Sequence, residues 1–257
     1  MSVYSVSDLH GCYEQWSQIR QFLKEDDTLY VLGDCIDRQT SGLGILQEAI
    51  GDPRCIVLCG NHEDMMMNAL DEEVQYGYSD YWIWRWFQNG GQVTYDEWQE
   101  AGRDFGWIGR IKALPLWAEY TNVHGDHILM THSGCLPKIG YGFDPSLRRL
   151  WVWDRDHLKE KRWHRDKNEF VVHGHTTTIH LLENLNILEE SDISNPLLVK
   201  YCQNHKINID LCAHYTGICA LLNLDSLQPI YFNSEGKINE TRSLEVDSGI
   251  RKLVSSF

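Results

Sequence analysis

The stretch Gly33-Asp34-Cys35-Ile36-Asp37-Arg38 is the middle one of three short polar strings that decide the fold of this 257-residue chain. The other two are Asp8-Leu9-His10 upstream and Gly60-Asn61-His62-Glu63 downstream. Each string follows an apolar run with the character of a buried strand, and these runs span 3–7, 29–32 and 56–59. Because the carboxyl ends of neighbouring parallel strands lie at one edge of a sheet, the sequence predicts that the three strings share a site there.

The segments between the strings have the periodicity of helices. Apolar residues recur at helical spacing in both segments: Trp16, Ile19 and Leu23 in the first, and Leu43, Leu46 and Ile50 in the second. Gly51-Asp52-Pro53 then ends the second helix. The first quarter of the chain is therefore predicted to form a β-α-β-α-β unit with three parallel strands.

The rest of the chain is predicted to complete one α/β domain over residues 1–257. A segment rich in Trp and Tyr, at about 76–110, is predicted to be a helical cap insert. An aromatic stripe of this kind is more often core, and the alternative is one wall of a substrate cleft. Shorter apolar runs follow, and the last two, at 217–222 and 230–232, predict a closing hairpin.

Composition limits the function classes. There are 23 basic and 37 acidic residues, and the net charge of −14 argues against a surface for nucleic-acid backbones. The start of the chain has no signal-like segment and no run is long enough to span a bilayer, so we expect a cytoplasmic protein without membrane contact. The eight cysteines form no C-x-x-C pair and are expected to be reduced and mostly buried. The oligomeric state is left open.

The polar strings supply the residue types that hold divalent metal ions. Side chains alternate along a strand, so Asp8 and His10 are expected on one side, with Asp34 reaching the same ion and a second one. Asn61 is expected at the second ion, completed by two downstream histidines, His132 and His175. Mixed nitrogen and oxygen ligands suit manganese, iron or zinc better than calcium or magnesium.

Such a centre would attract phosphate in an acidic protein. Two divalent ions outweigh the negative charges of Asp8, Asp34 and a bridging hydroxide, and can activate that hydroxide for in-line attack on phosphorus. His62 is the predicted general acid, with Asp37 orienting and charging it. Arg38 and Asn61 are expected to contact the phosphoryl oxygens.

In order and spacing, the motifs resemble the phosphoprotein phosphatase branch of the calcineurin-like metallophosphoesterases. The resemblance is strongest to the small bacterial and phage enzymes of the lambda type. It implies a four-layer α/β/β/α sandwich of two mixed β-sheets flanked by helices. It also implies a dinuclear centre often assayed with manganese, and hydrolysis of phosphoserine and phosphothreonine without a covalent intermediate.

Residue details separate the branches of this family. The diadenosine tetraphosphate hydrolases typically have Ala where Asp37 stands and Asp where Glu63 stands. A phosphate-binding arginine usually precedes Gly60, whereas this chain has Cys59, and Arg155 resembles a further family arginine that would bind phosphate. The prediction is a serine/threonine protein phosphatase acting on a phosphorylated protein or a small phosphoester. The alternatives are a dinucleoside polyphosphate hydrolase and, from another class, a non-catalytic phosphate-sensing protein.

Overall fold

The predicted β-α-β-α-β unit forms the parallel half of a mixed sheet. In the computed structural model, which describes residues 1–78, 80–134, 147–247 and 250–255, β1 (Val3–Val6) pairs in parallel with β2 (Thr28–Val31). The third strand, β3 (Cys55–Val57), pairs in parallel with β2. The connecting helices are α1 (Tyr13–Phe22) and α2 (Gly42–Gly51), as the apolar spacing predicts.

Antiparallel strands extend this sheet on the other side of β1. They are β9 (Cys219–Asn223), β10 (Gln228–Asn233) and β11 (Gly236–Lys237), in the sheet order β11-β10-β9-β1-β2-β3. The pair β9–β10 is the predicted hairpin, but it does not close the fold. Three more strands follow it along the chain. The last of them shows no clear alternation of buried and exposed residues, because it is mostly exposed at the edge of the second sheet.

The second sheet is also mixed and has the order β13-β12-β7-β8-β6-β5-β4. Its strands are β4 (Trp117–Thr121), β5 (His127–Thr131), β6 (Glu169–His173), β7 (Val199–Tyr201), β8 (Lys206–Asn208), β12 (Arg242–Asp247) and β13 (Ile250–Ser255). The neighbours β5, β6 and β8 run parallel to one another. The polar residues after β5 and β6 can therefore meet at a common sheet edge.

Helices complete the chain. They are α3 (Asn61–Tyr76), α4 (Tyr81–Gln88), α5 (Gln92–Glu100), α6 (Gly106–Lys112), α7 (Arg148–Trp153), α8 (Thr178–Asn184), α9 (Glu190–Ser194) and α10 (Ala213–Thr216), together with a 3-10 helix at Asp156–Lys159. Within the described residues, none of the helices combines the length and apolar composition needed to cross a membrane.

Apolar side chains from both sheets form the central layer of the molecule. Leu32, Ile128, Val172 and Leu222 are among its fully buried members. Each such side chain contributes roughly 1.5–3 kcal/mol when buried, so this layer is a major source of the attraction between the sheets. Helices cover the outer faces of the sheets, and the predicted four-layer sandwich is confirmed.

The aromatic segment forms α4, α5 and α6, and most of its large side chains pack inward. Trp86 and Trp98 are fully buried in the same cluster as α1 and α2, which agrees with the packing interpretation. Tyr81 and Trp84 differ, because 53% and 60% of their surfaces are exposed. The cysteines in the described part of the chain are free, as predicted, and Cys135 lies outside those residues.

Candidate metal centre

The six predicted ligands come together although they are spread over much of the chain. Each follows a strand at the carboxyl edge of one of the two sheets, and each is buried, with 8% exposure or less: Asp8, His10, Asp34, Asn61, His132 and His175. The centre therefore lies where the two sheets meet. No sequence-local argument places His132 beside Asp34, since these residues belong to different sheets.

Asp34 is at the middle of the cluster. Its Oδ2 lies 3.6 Å from His10 Nε2 and 3.4 Å from His132 Nε2. Asn61 Oδ1 lies 2.8 Å from His132 Nε2 and 2.7 Å from His175 Nδ1. Two sets of ligand atoms, each within 4.8 Å of one another, share this carboxylate: His10, Asp34 and His62, and Asp34, His132 and His175.

The hydrogen bonds of the histidines test whether metal ions fit. His10 Nδ1 lies 2.9 Å from the Ile36 carbonyl oxygen and His132 Nδ1 lies 2.8 Å from that of Leu32, so each donates outward. In their neutral forms both Nε2 atoms then point lone pairs at Asp34. His175 Nε2 is buried without a partner among the described residues. Lone pairs that face a carboxylate call for a cation between them, and the residues fit two divalent ions sharing Asp34.

The electrostatics of the cluster also indicate that a cation is needed beside Asp34. Burial opposes ionisation of Asp34, but the neighbouring His132 and His62 hold the pKa of its carboxyl well below the usual range. Burial likewise opposes protonation of His132, and the Asp34 carboxylate overcomes it and raises the pKa of His132 to about 9. Positive charge beside Asp34 is therefore favourable, which is the condition for cation binding.

The prediction that strand alternation places Asp8 and His10 on one side is wrong. Strand β1 ends at Val6, and both residues lie beyond it with left-handed backbone, at φ 54° and 44°. Strand alternation therefore does not apply to them. Backbone hydrogen bonds hold the turn instead, from Asp8 N to Gly33 O at 3.2 Å and from His10 N to Asp34 O at 2.9 Å.

Left-handed backbone recurs throughout the centre. Besides Asp8 and His10, it is found at Asp34, Asp37, Arg38 and His175. Non-glycine residues rarely adopt this conformation, and sparsely populated conformations of this kind cost about 1–3 kcal/mol each. Such clustering is typical of functional sites, where the surrounding structure imposes the geometry.

Two motif glycines allow the strings to approach one another. A Cβ at Gly174 would lie 1.9 Å from Asp8 Oδ2, and one at Gly60 would lie 2.1 Å from Asp34 Oδ1. Neither distance is compatible with a side chain. The glycines in the motifs are thus explained by close packing of the loops around the carboxylates.

Glu63 holds two of the strings together, a role that its motif does not indicate. Its carboxylate accepts hydrogen bonds from the backbone N–H groups of Asp34 and Cys35, both at 2.8 Å, and of Gly60 at 3.0 Å. Burial and the nearby Asp34 charge raise its pKa to about 7. The signal available in the sequence was its place in Gly60-Asn61-His62-Glu63, but two of its three partners, Asp34 and Cys35, lie in another string.

His62 and Asp37 form the predicted pair. His62 Nδ1 lies 2.6 Å from Asp37 Oδ2, and both side chains are buried. Burial lowers the pKa of His62, but the carboxylates of Asp34 and Asp37 outweigh it and raise that pKa above its usual value. Trp86 donates a hydrogen bond from Nε1 to the same Asp37 oxygen at 2.8 Å. The aromatic segment therefore supports the pair as well as the core.

We expect Trp86→Phe to lower turnover about 10-fold, the effect of about 1.4 kcal/mol, because the substitution removes the donor that orients Asp37. Steady-state kinetics on an aryl phosphate would measure it. Trp98→Phe is the matched control, since Trp98 is equally buried and its Nε1 donates to the Asp104 carbonyl oxygen at 3.1 Å. Similar losses of thermal stability are expected for both variants. Equal losses of turnover would show that Trp86 acts only through stability.

The predicted phosphate-binding arginines lie at the rim of the centre. Arg38 is exposed, and its Nη2 lies 3.4 Å from His62 Nε2. Arg155 donates from Nε to Thr176 Oγ1 at 3.1 Å, next to His175. His214, which received no role from the sequence, lies between Arg38 and the centre: its ring nitrogens are 3.2 and 3.3 Å from Arg38 Nη1 and its ring centroid is 5.4 Å from that of His10.

Cys59 stands where the family usually has a phosphate-binding arginine, and its side chain packs in the core. The Cys59 side chain is fully buried, and burial raises the pKa of its thiol well above the usual value. Arg148 lies against it, with Nη2 2.9 Å from Cys59 Sγ and Nε 2.6 Å from Asp64 Oδ1. The guanidinium near position 59 therefore comes from α7, where no motif marks it.

Comparison with known proteins agrees with this geometry. The sequence profile of the family described as calcineurin-like phosphoesterase matches residues 1–214. Among curated proteins, a symmetrical bis(5′-nucleosyl)-tetraphosphatase of Delftia acidovorans is 26% identical over 143 residues, or 54% of this chain and 46% of the relative. The protein of the same name from Psychromonas ingrahamii is 37% identical over 79 residues, or 29% of this chain and 28% of the relative. The matches thus span less than half the length of these relatives.

Solved structures share the fold over nearly the whole chain. A cold-active protein-tyrosine phosphatase of a psychrophilic Shewanella species has a TM-score of 0.53 at 14% identity, covering 98% of this chain and 80% of that one. A metallophosphoesterase from Sphaerobacter thermophilus has a TM-score of 0.52 at 13% identity, covering 93% and 88%. Because the family profile covers most of the sequence, and its fold is the one observed, this chain belongs to the calcineurin-like phosphoesterase family.

Proposed function

We propose that this metallophosphoesterase hydrolyses dinucleoside tetraphosphates at the central anhydride, using two divalent ions. The convergence of oxygen and nitrogen ligands on Asp34 is the observation that carries the chemistry. The substrate class is supported by the relatives, which are named as symmetrical tetraphosphatases. It replaces the protein phosphatase predicted from the motifs as the leading candidate.

The ligand set divides around the shared carboxylate. We assign Asp8, His10 and Asp34 to one ion, and Asn61, His132 and His175, again with Asp34, to the other. When bound, such ions stabilise the charge on phosphoryl oxygens and make water a better nucleophile. The mixed nitrogen and oxygen donors suit manganese, iron or zinc. Manganese is the expected one of the three, because the family resemblance implies it.

The other residues bind the phosphate and move a proton. Arg38 and Arg155, both exposed at the rim, present planar guanidinium groups to the phosphoryl oxygens. His62, held at Nδ1 by Asp37, can in its protonated form donate the proton on Nε2 to the leaving oxygen. Asn61 offers its amide to the centre from the first residue of α3.

A phosphoserine or phosphothreonine phosphatase is the second candidate, and the His62–Asp37 pair favours it. An alkoxide leaving group needs a proton in the transition state, whereas the nucleoside diphosphate released from an anhydride is a much weaker base. Asp37 and Glu63 are also the residues that, by the family resemblance, belong to the protein phosphatase branch.

One substrate panel separates the candidates. The chain saturated with Mn²⁺ is assayed on diadenosine tetraphosphate, a phosphoserine peptide, p-nitrophenyl phosphate and its diester, with products identified by chromatography. We expect kcat/KM for diadenosine tetraphosphate to exceed that for the peptide by at least about 10-fold, a difference of about 1.4 kcal/mol, with ADP as the product. Preference for the peptide would transfer the proposal to the second candidate. If the metal-bound protein turns over none of these compounds, the result would support a non-catalytic phosphate-sensing protein.

A further inference from the structure

Charge pairing divides the arginines of this chain into two groups. Of the thirteen arginines, eight lie against a carboxylate: Arg20, Arg54, Arg103, Arg110, Arg148, Arg165, Arg242 and Arg251. Those without such a partner in the described part of the chain are Arg38, Arg85, Arg149, Arg155 and Arg162. Arg38 and Arg155 border the metal centre. In a protein of net charge −14, unpaired arginines at a site indicate an anionic ligand.

Arg85 is the third unpaired arginine near the centre. Its guanidinium carbon lies 4.4 Å from the ring centroid of Trp153, at the end of α7. The Trp153 ring in turn packs edge to face against His175, with centroids 5.9 Å apart. A single aromatic ring therefore separates the Arg85 charge from a predicted metal ligand.

Arg85 has one side-chain hydrogen bond among the described residues, and its Nε, although buried, has no partner. In that hydrogen bond, Nη1 donates to Tyr81 Oη at 3.2 Å. A guanidinium has five N–H donors, and stacking on an indole occupies its face and leaves its edge free. That edge can form the paired hydrogen bonds with which arginine recognises phosphate.

Aromatic rings stand beside Arg85 on α4. Tyr81 lies one turn before it, and Trp84 lies three residues after Tyr81, so Tyr81 is a neighbour of both on the helix surface. Tyr81 and Trp84 are 53% and 60% exposed. An exposed aromatic ring next to a phosphate-binding cation is a suitable surface for stacking a nucleobase.

We propose that Arg85, supported by Trp153, binds a phosphate of the substrate beyond the one that is hydrolysed, and that Tyr81 or Trp84 stacks its base. The ligand class is a nucleoside polyphosphate, and the inference rests on the proposed function. It makes Arg85 a specificity residue, because a substrate with a single small phosphate group does not extend to it. Arg38 and Arg155 hold the reacting phosphoryl group, and Arg85 holds the chain that leads away from it.

Arg110 provides a matched control for the stacking geometry. Its guanidinium carbon lies 4.6 Å from the Trp107 ring centroid, nearly the distance between Arg85 and Trp153. Arg110 differs in being paired with Asp104, at 2.6 Å. A stack that serves only packing would give similar effects on substitution at both positions.

The test is direct binding to the full chain saturated with Mn²⁺, by calorimetry. The two probes are inorganic phosphate and adenosine 5′-(β,γ-methylene)triphosphate, a non-hydrolysable nucleoside polyphosphate. We expect Arg85→Gln to weaken the nucleotide Kd about 10-fold, as for the loss of charged hydrogen bonds, and to change the phosphate Kd less than about twofold. Arg85→Lys should recover part of the affinity, because it keeps the charge but loses the planar fork. Arg110→Gln should change neither Kd.

Each outcome decides the inference. An unchanged nucleotide Kd in Arg85→Gln would overturn it, as would an equal loss of affinity for both probes, which places the effect at the metal centre. A matching loss in Arg110→Gln would do the same. The proposed function fails separately, if the wild-type chain does not hydrolyse diadenosine tetraphosphate. Nucleotide binding that still depends on Arg85 would then support the subsite for another nucleoside polyphosphate. Thermal unfolding of each variant is the check that its fold is intact.

Discussion

His62→Asn should reduce kcat on phenyl phosphate by about 10²–10⁴-fold, the usual contribution of a positioned general acid. The reduction should be much smaller on p-nitrophenyl phosphate, because nitrophenolate leaves without needing a proton. The physical basis is the 2.6 Å contact between His62 Nδ1 and Asp37 Oδ2, which orients the imidazole and favours its charged form. Steady-state kinetics over a series of aryl phosphates measures the dependence on leaving group.

Metal content must be measured in the same variant, since His62 also lies in one of the two sets of ligand atoms, with His10 and Asp34. A proton donor leaves the metal stoichiometry unchanged when it is replaced. If His62→Asn loses an ion, His62 is a ligand and the acid is misassigned. Equal kcat losses for all leaving groups would also contradict the assignment. His205→Asn is the control, because His205 is a partly buried histidine that stacks on Trp163 and belongs to neither set.

Asp34→Asn should lose metal and activity together. The Asp34 carboxylate lies between His10 and His132, and it is the member shared by both sets of ligand atoms. An amide removes the negative charge and one of the two ligand oxygens. Replacing groups that merely orient ligands costs about 10–100-fold in metal affinity, so loss of a shared ligand should cost at least about 100-fold. Elemental analysis after dialysis, beside an aryl phosphate assay, measures both effects.

Asp64→Asn is the matched control for Asp34→Asn. Asp64 is also a buried carboxylate, one turn into α3, but its Oδ1 accepts from Arg148 Nε at 2.6 Å rather than facing the histidines. It should retain its metal and its turnover. An Asp34→Asn protein that keeps full metal content would show that Asp34 is not the bridge, and the two-ion proposal would have to be abandoned.

The substrate class is where motif and relatives diverge. By the family resemblance, Asp37 and Glu63 belong to the protein phosphatase branch, whereas the curated relatives carry the name of dinucleoside tetraphosphatases. The structure gives Glu63 a physical role that does not depend on substrate, since it holds the backbone of Asp34, Cys35 and Gly60. Its identity is therefore weak evidence for a branch. The His62–Asp37 pair is stronger evidence for the protein phosphatase branch, because an alkoxide leaving group needs a proton donor.

The sequence by itself determined the local pattern: the parallel β1, β2 and β3, the helices between them, and polar strings after the strands. These follow from short-range periodicity and from motifs with few accidental matches. It also identified the six converging side chains by residue type, although strand alternation was the wrong reason for Asp8 and His10. The left-handed backbone that places them is held by hydrogen bonds to Gly33 and Asp34, which belong to the next string along the chain and leave no local signal.

Only the tertiary structure decided which distant groups complete the centre. Trp86 contacts Asp37 from α4, Arg148 contacts Cys59 from α7, and His214 lies beside His10 from α10. None of these side chains belongs to a motif, because each acts through a contact made by packing one element against another. Such contacts follow from how two sheets and their helices fill space together, and periodicity along a single chain carries no information about them.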